Sequence, residues 1–137
     1  MRIRIFLLLG ALAACSADPY DTLLGPRNPR PAAERYLSSR PDISDADKNA
    51  LLGFRPCSID VLKALSEVPA REIRSLVAAN PSADESLLTK MSSDKESGVR
   101  QYVATNPSTP GRILARLTND TNETVRWQVA NRKKQNP

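Results

Sequence analysis

The chain has no histidine, two cysteines, five glycines and few aromatic residues, 4% of 137. Without histidine it lacks the commonest general base, the usual zinc ligand and any Ser-His-Asp arrangement. That absence argues against an enzyme, and the sequence offers no catalytic, cofactor-binding or metal residue. The scarcity of aromatics leaves Leu, Val, Ile and Ala to build a core, a composition better suited to helices than to sheets. The apolar stretch at residues 5–12 is too short for a membrane span of roughly 20 residues.

What that stretch does fit is an export signal. Arg2 and Arg4 precede it and small residues follow it, giving a basic segment, a short apolar segment and a cleavage region. It ends in Leu12-Ala13-Ala14-Cys15, which resembles the lipobox of bacterial lipoprotein precursors. The resemblance implies that residues 1–14 are removed and that Cys15 is lipidated as the first mature residue. Two or three acyl chains make a durable anchor where one is marginal. Ser16, rather than aspartate, follows the cysteine. In sorting of the enteric type this implies the outer membrane, facing the periplasm.

Charged residues make up 26% of the chain and the formal net charge is +5. Arg2 and Arg4 leave with the signal, so 18 of the 20 basic residues face 15 acidic ones, or +3. Much of the excess lies in Arg126, Arg132, Lys133 and Lys134. Such a run reads first as a solvated tail and second as an attraction for an acidic surface. An exported lipoprotein does not meet nucleic acid, so none is expected as a partner.

Residues 15–41 form a lipidated tether, with Pro19, Pro26, Pro29, Pro31 and Pro41 holding five of the eleven prolines. A short helical turn is expected at residues 32–37, where Tyr36 and Leu37 can pack back onto the domain. The domain itself is placed at 42–131 and a basic tail at 132–137.

Internal repetition carries the fold. Ile73-Arg74-Ser75-Leu76-Val77-Ala78-Ala79-Asn80-Pro81-Ser82 recurs 26 residues later as Val99-Arg100-Gln101-Tyr102-Val103-Ala104-Thr105-Asn106-Pro107-Ser108. After the same interval Val125-Arg126-Trp127-Gln128-Val129-Ala130 begins a third copy, and a weaker early one runs through Val61, Leu62 and Leu65. Ile73, Leu76 and Val77 give a helix an apolar face. Asn80-Pro81 ends that helix, because the residue before proline avoids the α region. A second helix is expected to open with Ser82 and Glu85, or with Thr109 and Pro110, and Asp120 with Glu123 is read as another capping box. No such pair buries enough surface alone, so neighbours must stack.

The pattern Val-Arg-x-x-Val-Ala-x-Asn-Pro-Ser, followed by Leu-x-x-Leu and Asp, resembles the leucine-rich-repeat variant, a HEAT-like helical repeat. The match covers about residues 55–131. It implies an all-α fold, a right-handed superhelical stack of about three helical pairs. The iron–sulphur association of that family depends on a separate cysteine cluster absent from this chain, and no cofactor is carried over. Asp94 with Arg100 and Asp120 with Arg126 resemble the aspartate–arginine ladder that ties HEAT repeats together, which implies a structural role for all four.

Among the remaining residues, Cys57 is expected to be a small buried residue. The carboxylates Asp42, Asp45, Asp47, Asp84 and Glu85 read as helix-start charges. Trp127 is set apart: its equivalents Ser75 and Gln101 are polar, so this ridge is expected to be exposed, and Gln128 to lie uncovered at the end of the stack. Trp127 is read either as a cap packed against the C-terminal tail or as a partner contact, and Gln101, Trp127, Arg132 and Lys133 are the expected partner-binding residues. The expected function is a membrane-anchored scaffold recognising a periplasmic or envelope protein. An immunity protein against a periplasm-delivered toxin is the alternative, and a carboxylate-dependent envelope hydrolase the rival of another class.

Overall fold

The repeat arithmetic of the sequence reappears as alternating helix lengths. The computed structural model describes residues 29–135, the side chains of Lys133 and Gln135 excepted, and contains eight helices and no strand among them. These are α1 (Arg30–Ser38), α2 (Asp45–Leu52), α3 (Ile59–Leu65), α4 (Arg71–Ala79), α5 (Glu85–Met91), α6 (Ser97–Thr105), α7 (Gly111–Leu117) and α8 (Glu123–Gln135). Helices α4 and α6 have nine residues each and α5 and α7 have seven. The signal segment, Cys15 and the tether to residue 28 lie outside the described residues.

Helix α4 packs on α6 and α6 on α8, while α1 also packs on α4. The shorter α5 packs against both α4 and α6, and α7 against both α6 and α8. Helices α4 and α6 are thus enclosed by their neighbours. Helix α4 has α1, α2, α3, α5 and α6 around it, and every residue from Ile73 to Ala79 is buried. The core is aliphatic as the composition demands: Leu62, Leu65, Leu76, Leu88, Met91, Val99, Val103 and Ile113 are nearly inaccessible. Helix α1 falls inside the segment read as a tether, yet its Ala33 and Leu37 are core residues. Residues 30–38 therefore belong to the packed body.

The expected helix ends hold, but not all of the expected caps. Asn80 and Asn106 stop α4 and α6 in extended conformation, φ −68°, ψ 132° and φ −65°, ψ 123°. Helix α5 is capped by Asp84, which accepts from Leu87 N at 2.7 Å, and not by Ser82. Thr109 does not cap α7; its buried hydroxyl donates to Val103 O at 2.6 Å. Asn122, not Asp120, accepts from Thr124 N and Val125 N at the start of α8. At α5 and α8 the residue nearer the first turn reaches the free N–H groups, whereas α7 has no side-chain cap.

The two asparagines do more than stop helices. Asn106 Nδ2 donates to Ala78 O at 2.7 Å and Asn80 O at 2.9 Å, reaching the end of the preceding long helix. Its own Oδ1 accepts from Ser108 N at 2.8 Å, an Asx turn. Asn80 repeats the pattern, donating to Arg55 O and accepting from Ser82 N, both at 2.9 Å. Both asparagines are fully buried, so their bonds replace water at carbonyls that water does not reach.

Asn106→Ala is accordingly expected to leave the Ala78 and Asn80 carbonyls without that donor. A loss of about 2–4 kcal/mol in urea unfolding should follow, with Asn106→Asp nearly as damaging because it supplies no donor. An unchanged midpoint would show that these bonds are dispensable.

Candidate binding surface

The four ladder residues come together at the opposite end of the long helices, with a different pairing from that expected. Asp94 does not take the Arg100 side chain; its carboxylate meets Arg74, twenty residues earlier. Arg74 Nε lies 2.7 Å from Asp94 Oδ2 and Nη2 lies 3.1 Å from Oδ1. Arg100 treats Asp120 in the same way at 2.7 and 2.9 Å. The six-residue spacing is used too, through the main chain: Arg100 Nη1 donates to Asp94 O and Arg126 Nη1 to Asp120 O. Each aspartate thus joins two arginines, one through its carboxylate and one through its carbonyl.

These are bidentate, largely buried pairs, the strongest ion-pair geometry a protein offers. Burial pushes the Asp94 pKa upward, but Arg74 and the Glu96 N–H outweigh it and hold the carboxyl below its ordinary value. Arg100 leads the causes that lower Asp120, against the opposing effect of burial. Arg74 and Arg100 are in turn held above their ordinary values by the same hydrogen bonds. The pairs are structural, and no charge in them is left to act on a substrate.

The ridge of Ser75, Gln101 and Trp127 splits. Ser75 and Gln101 are only 6% and 5% exposed, whereas Trp127 is 55% exposed. The expectation that polar residues there meant an exposed ridge is overturned for the first two, because adjacent long helices cover that face. Ser75 and Gln101 line a cleft of about 440 Å³ that also takes in Arg71, Glu72 and Glu96 at the starts of α4 and α6. Gln128, expected to be uncovered, is buried.

Arg132 is likewise not a loose basic residue. Helix α8 continues to Gln135, so the basic run from Arg132 onward is helical as far as the described residues go. Arg132 stands 26 residues after Asn106 and takes over its work. Its Nη1 donates to Ala104 O at 3.1 Å and to Asn106 O, and its Nη2 to Pro107 O at 3.0 Å. The side chain of Lys133 lies outside the described residues, and Lys134 is exposed. Trp127 is the one large apolar side chain exposed among the described residues.

Elsewhere chemistry is sparse. Cys57 is buried and free, donates to Asp47 Oδ1 at 3.4 Å, and has its pKa pushed up to about 11, first by burial and then by Asp47. A thiol held protonated in this way is inert at neutral pH. Asp47 instead closes a reciprocal contact with Ser44, the cap of α2. Among the described residues no group of His, Cys, Asp and Glu could hold a metal. No protein-family model, curated protein or solved structure matches the chain.

The resemblance to the HEAT ladder pointed to the arginines and aspartates but not to the Asn80–Asn106–Arg132 series. Its signal was present in the strict 26-residue spacing, hidden because Asn-Pro already has a sufficient reason to occur at a helix end.

The rungs make stability depend on acid. Asp94 and Asp120 titrate below the unfolded value of about 3.9, so the unfolded chain binds more protons than the folded one in this range. Their contribution is complete above about pH 4 and is lost as pH falls through the lower folded values. Asp120→Asn is expected to cost about 2 kcal/mol or more at pH 7, since it leaves Arg100 largely buried without its counter-charge. It should also flatten the acid limb of stability measured by urea unfolding between pH 5 and about pH 2. A variant with the wild-type acid limb would remove Asp120 from this role.

Proposed function

We propose that this chain is a lipid-anchored helical-repeat binding module, a right-handed superhelical stack of the leucine-rich-repeat-variant kind. It holds an envelope protein at the α8 end. The carrying observation is Trp127, 55% exposed on the last helix while nearly every other large apolar side chain is covered. Tryptophan is enriched among residues that dominate binding energy. Lys134 and Arg126, both exposed nearby in sequence, bias the partner toward an acidic surface. Asp94 and Asp120 are taken up in rungs and Asp84 in a cap, which favours holding over catalysis.

The repeat reading is supported by the 26-residue recurrence of side-chain roles: Arg74 with Arg100, Asp94 with Asp120, and Asn80 with Asn106. A third recurrence runs along the short helices. Lys90 donates to Ser66 Oγ at 3.0 Å and also meets Glu67, and Arg116 reaches Ser93 at 3.0 Å. Attachment to the membrane is assigned to Cys15. No helix among the described residues is long and apolar enough to cross a membrane.

Two measurements test this reading. In cells fed an alkyne-tagged fatty acid, the chain should become labelled and sediment with membranes, and Cys15→Ala should abolish both. Unlabelled wild-type chain would end the anchor proposal. A photo-crosslinking amino acid at position 127 should trap an envelope protein in intact cells, and Trp127→Ala should reduce co-purification of that protein at least about thirtyfold. Melting should stay near wild type. If the substitution lowers the melting temperature and leaves capture intact, Trp127 is a packing cap.

A further inference from the structure

The arginine rungs repeat with a regularity that makes the last one informative. In the first, Arg74 Nη1 is fixed by Val68 O at 2.9 Å and Pro69 O at 2.7 Å, and its Nε–Nη2 edge closes on the Asp94 carboxylate. In the second, Arg100 Nη1 is fixed by Asp94 O at 2.7 Å and Lys95 O at 3.3 Å, and the same edge closes on Asp120. The carbonyls lie six and five residues before the arginine both times. Arg126 has the same inner half: Nη1 donates to Asp120 O at 2.6 Å and Thr121 O at 3.1 Å, again six and five residues back. No described residue meets its Nε–Nη2 edge, and the side chain is exposed.

We propose that the Nε–Nη2 edge of Arg126 is a docking point for an aspartate or glutamate side chain of the partner protein. The partner's carboxylate takes the place that Asp94 and Asp120 take in the closed rungs. The guanidinium is planar and presents two parallel donors, so a carboxylate fits it bidentately. Two backbone carbonyls already hold the opposite side of the group, so less side-chain freedom is lost on binding than for an ordinary surface arginine. Trp127 is the next residue on α8, which puts an apolar contact beside the charged one. Opposing charges are near: Asp120 is committed to Arg100, and Glu123, one turn earlier on α8, makes no ion pair with Arg126. The inference deepens the proposed partner surface by naming the chemistry that surface recognises, and it depends on that reading for its biological partner.

The test is an NMR titration of the folded chain, following the arginine Nε–Hε resonances with capped peptides as probes. Ac-Leu-Asp-Leu-NH2 should shift the Arg126 resonance in a saturable way and leave those of Arg74 and Arg100 in place. Ac-Leu-Asn-Leu-NH2, with the charge removed, should shift none of them. Inorganic phosphate is the competing oxyanion, and binding tighter than that of the aspartyl peptide would reassign the edge to phosphate and overturn the proposal. Arg126→Lys keeps the charge but not the fork, and it should weaken the aspartyl peptide about tenfold, the loss of roughly one hydrogen bond to a charged group. An Arg126 resonance that does not move, or a lysine variant that binds as well as wild type, overturns the proposal. If Arg126 responds as expected but crosslinking at Trp127 traps nothing, the carboxylate site stands and the partner reading fails. Trapping at Trp127 without a response at Arg126 gives the converse.

Discussion

A helix that stops at Asn-Pro leaves its last carbonyls unpaired, and in this fold those carbonyls are buried between units. The Nδ2 group of Asn106 meets the carbonyls of Ala78 and Asn80 from the following unit, and the rest of the architecture depends on that bond pair. An unmet buried carbonyl costs about 1–3 kcal/mol, a large share of the total stability of a small domain. Each unit meets part of its own end, Ala83 N donating to Asn80 O and Thr109 N to Asn106 O, and the next unit adds the rest, which ties the 26-residue period to hydrogen-bond geometry as well as to apolar packing.

The arginine rungs perform the complementary task at the other end of the same helices. Arg74 lies in the first turn of α4 and reaches back to carbonyls before its helix and forward to Asp94 before α6. Long helices are therefore clamped near both ends, by a neutral amide at one and an ion pair at the other, with aliphatic contact between. The divisions of labour differ. Apolar burial drives association but is non-directional, and a row of Leu, Val and Ile side chains tolerates sliding. A bidentate pair does not, so the rungs act chiefly on register; buried ion pairs add uncertain net stability once desolvation is counted.

Much of this was legible in the residues and some was not, for definite reasons. Helical content and the unit boundaries at Asn80 and Asn106 follow from spacing, and the involvement of Asp94, Arg100, Asp120 and Arg126 is what the resemblance to HEAT-like repeats implies. The partner of each aspartate does not follow from spacing, because a separation of six and one of twenty are equally consistent with a 26-residue repeat. Ser75 and Gln101 were misread because a polar residue on an amphipathic helix is ordinarily outward. That rule fails for a helix such as α4 with neighbours on every side, where small or amide-bearing residues fill the spaces between backbones. The caps of α5 and α8 lie two residues beyond the expected ones because Ser, Asp, Asn and Thr cluster at those helix starts, and only geometry selects among them.

The third copy of the repeat departs from the first two at three kinds of position, and the departures differ in what explains them. Where Asn80 and Asn106 stood, Arg132 appears. An asparagine there must donate to the previous unit and also accept from its own following turn, as Ser82 N and Ser108 N show. Helix α8 runs on past 132 with no Asx turn to accept for, so the acceptor is not needed and a donor-only side chain of longer reach serves; Arg132 accordingly meets carbonyls out to Thr109. Where Leu76 and Tyr102 stood, Gln128 keeps its apolar stem covered, a compromise between core and edge. Where Ser75 and Gln101 stood, Trp127 enlarges the side chain and exposes it. Packing accounts for the first two changes and gives no reason for the third. The neighbouring Arg126 keeps only the inner half of its rung, held by the Asp120 and Thr121 carbonyls.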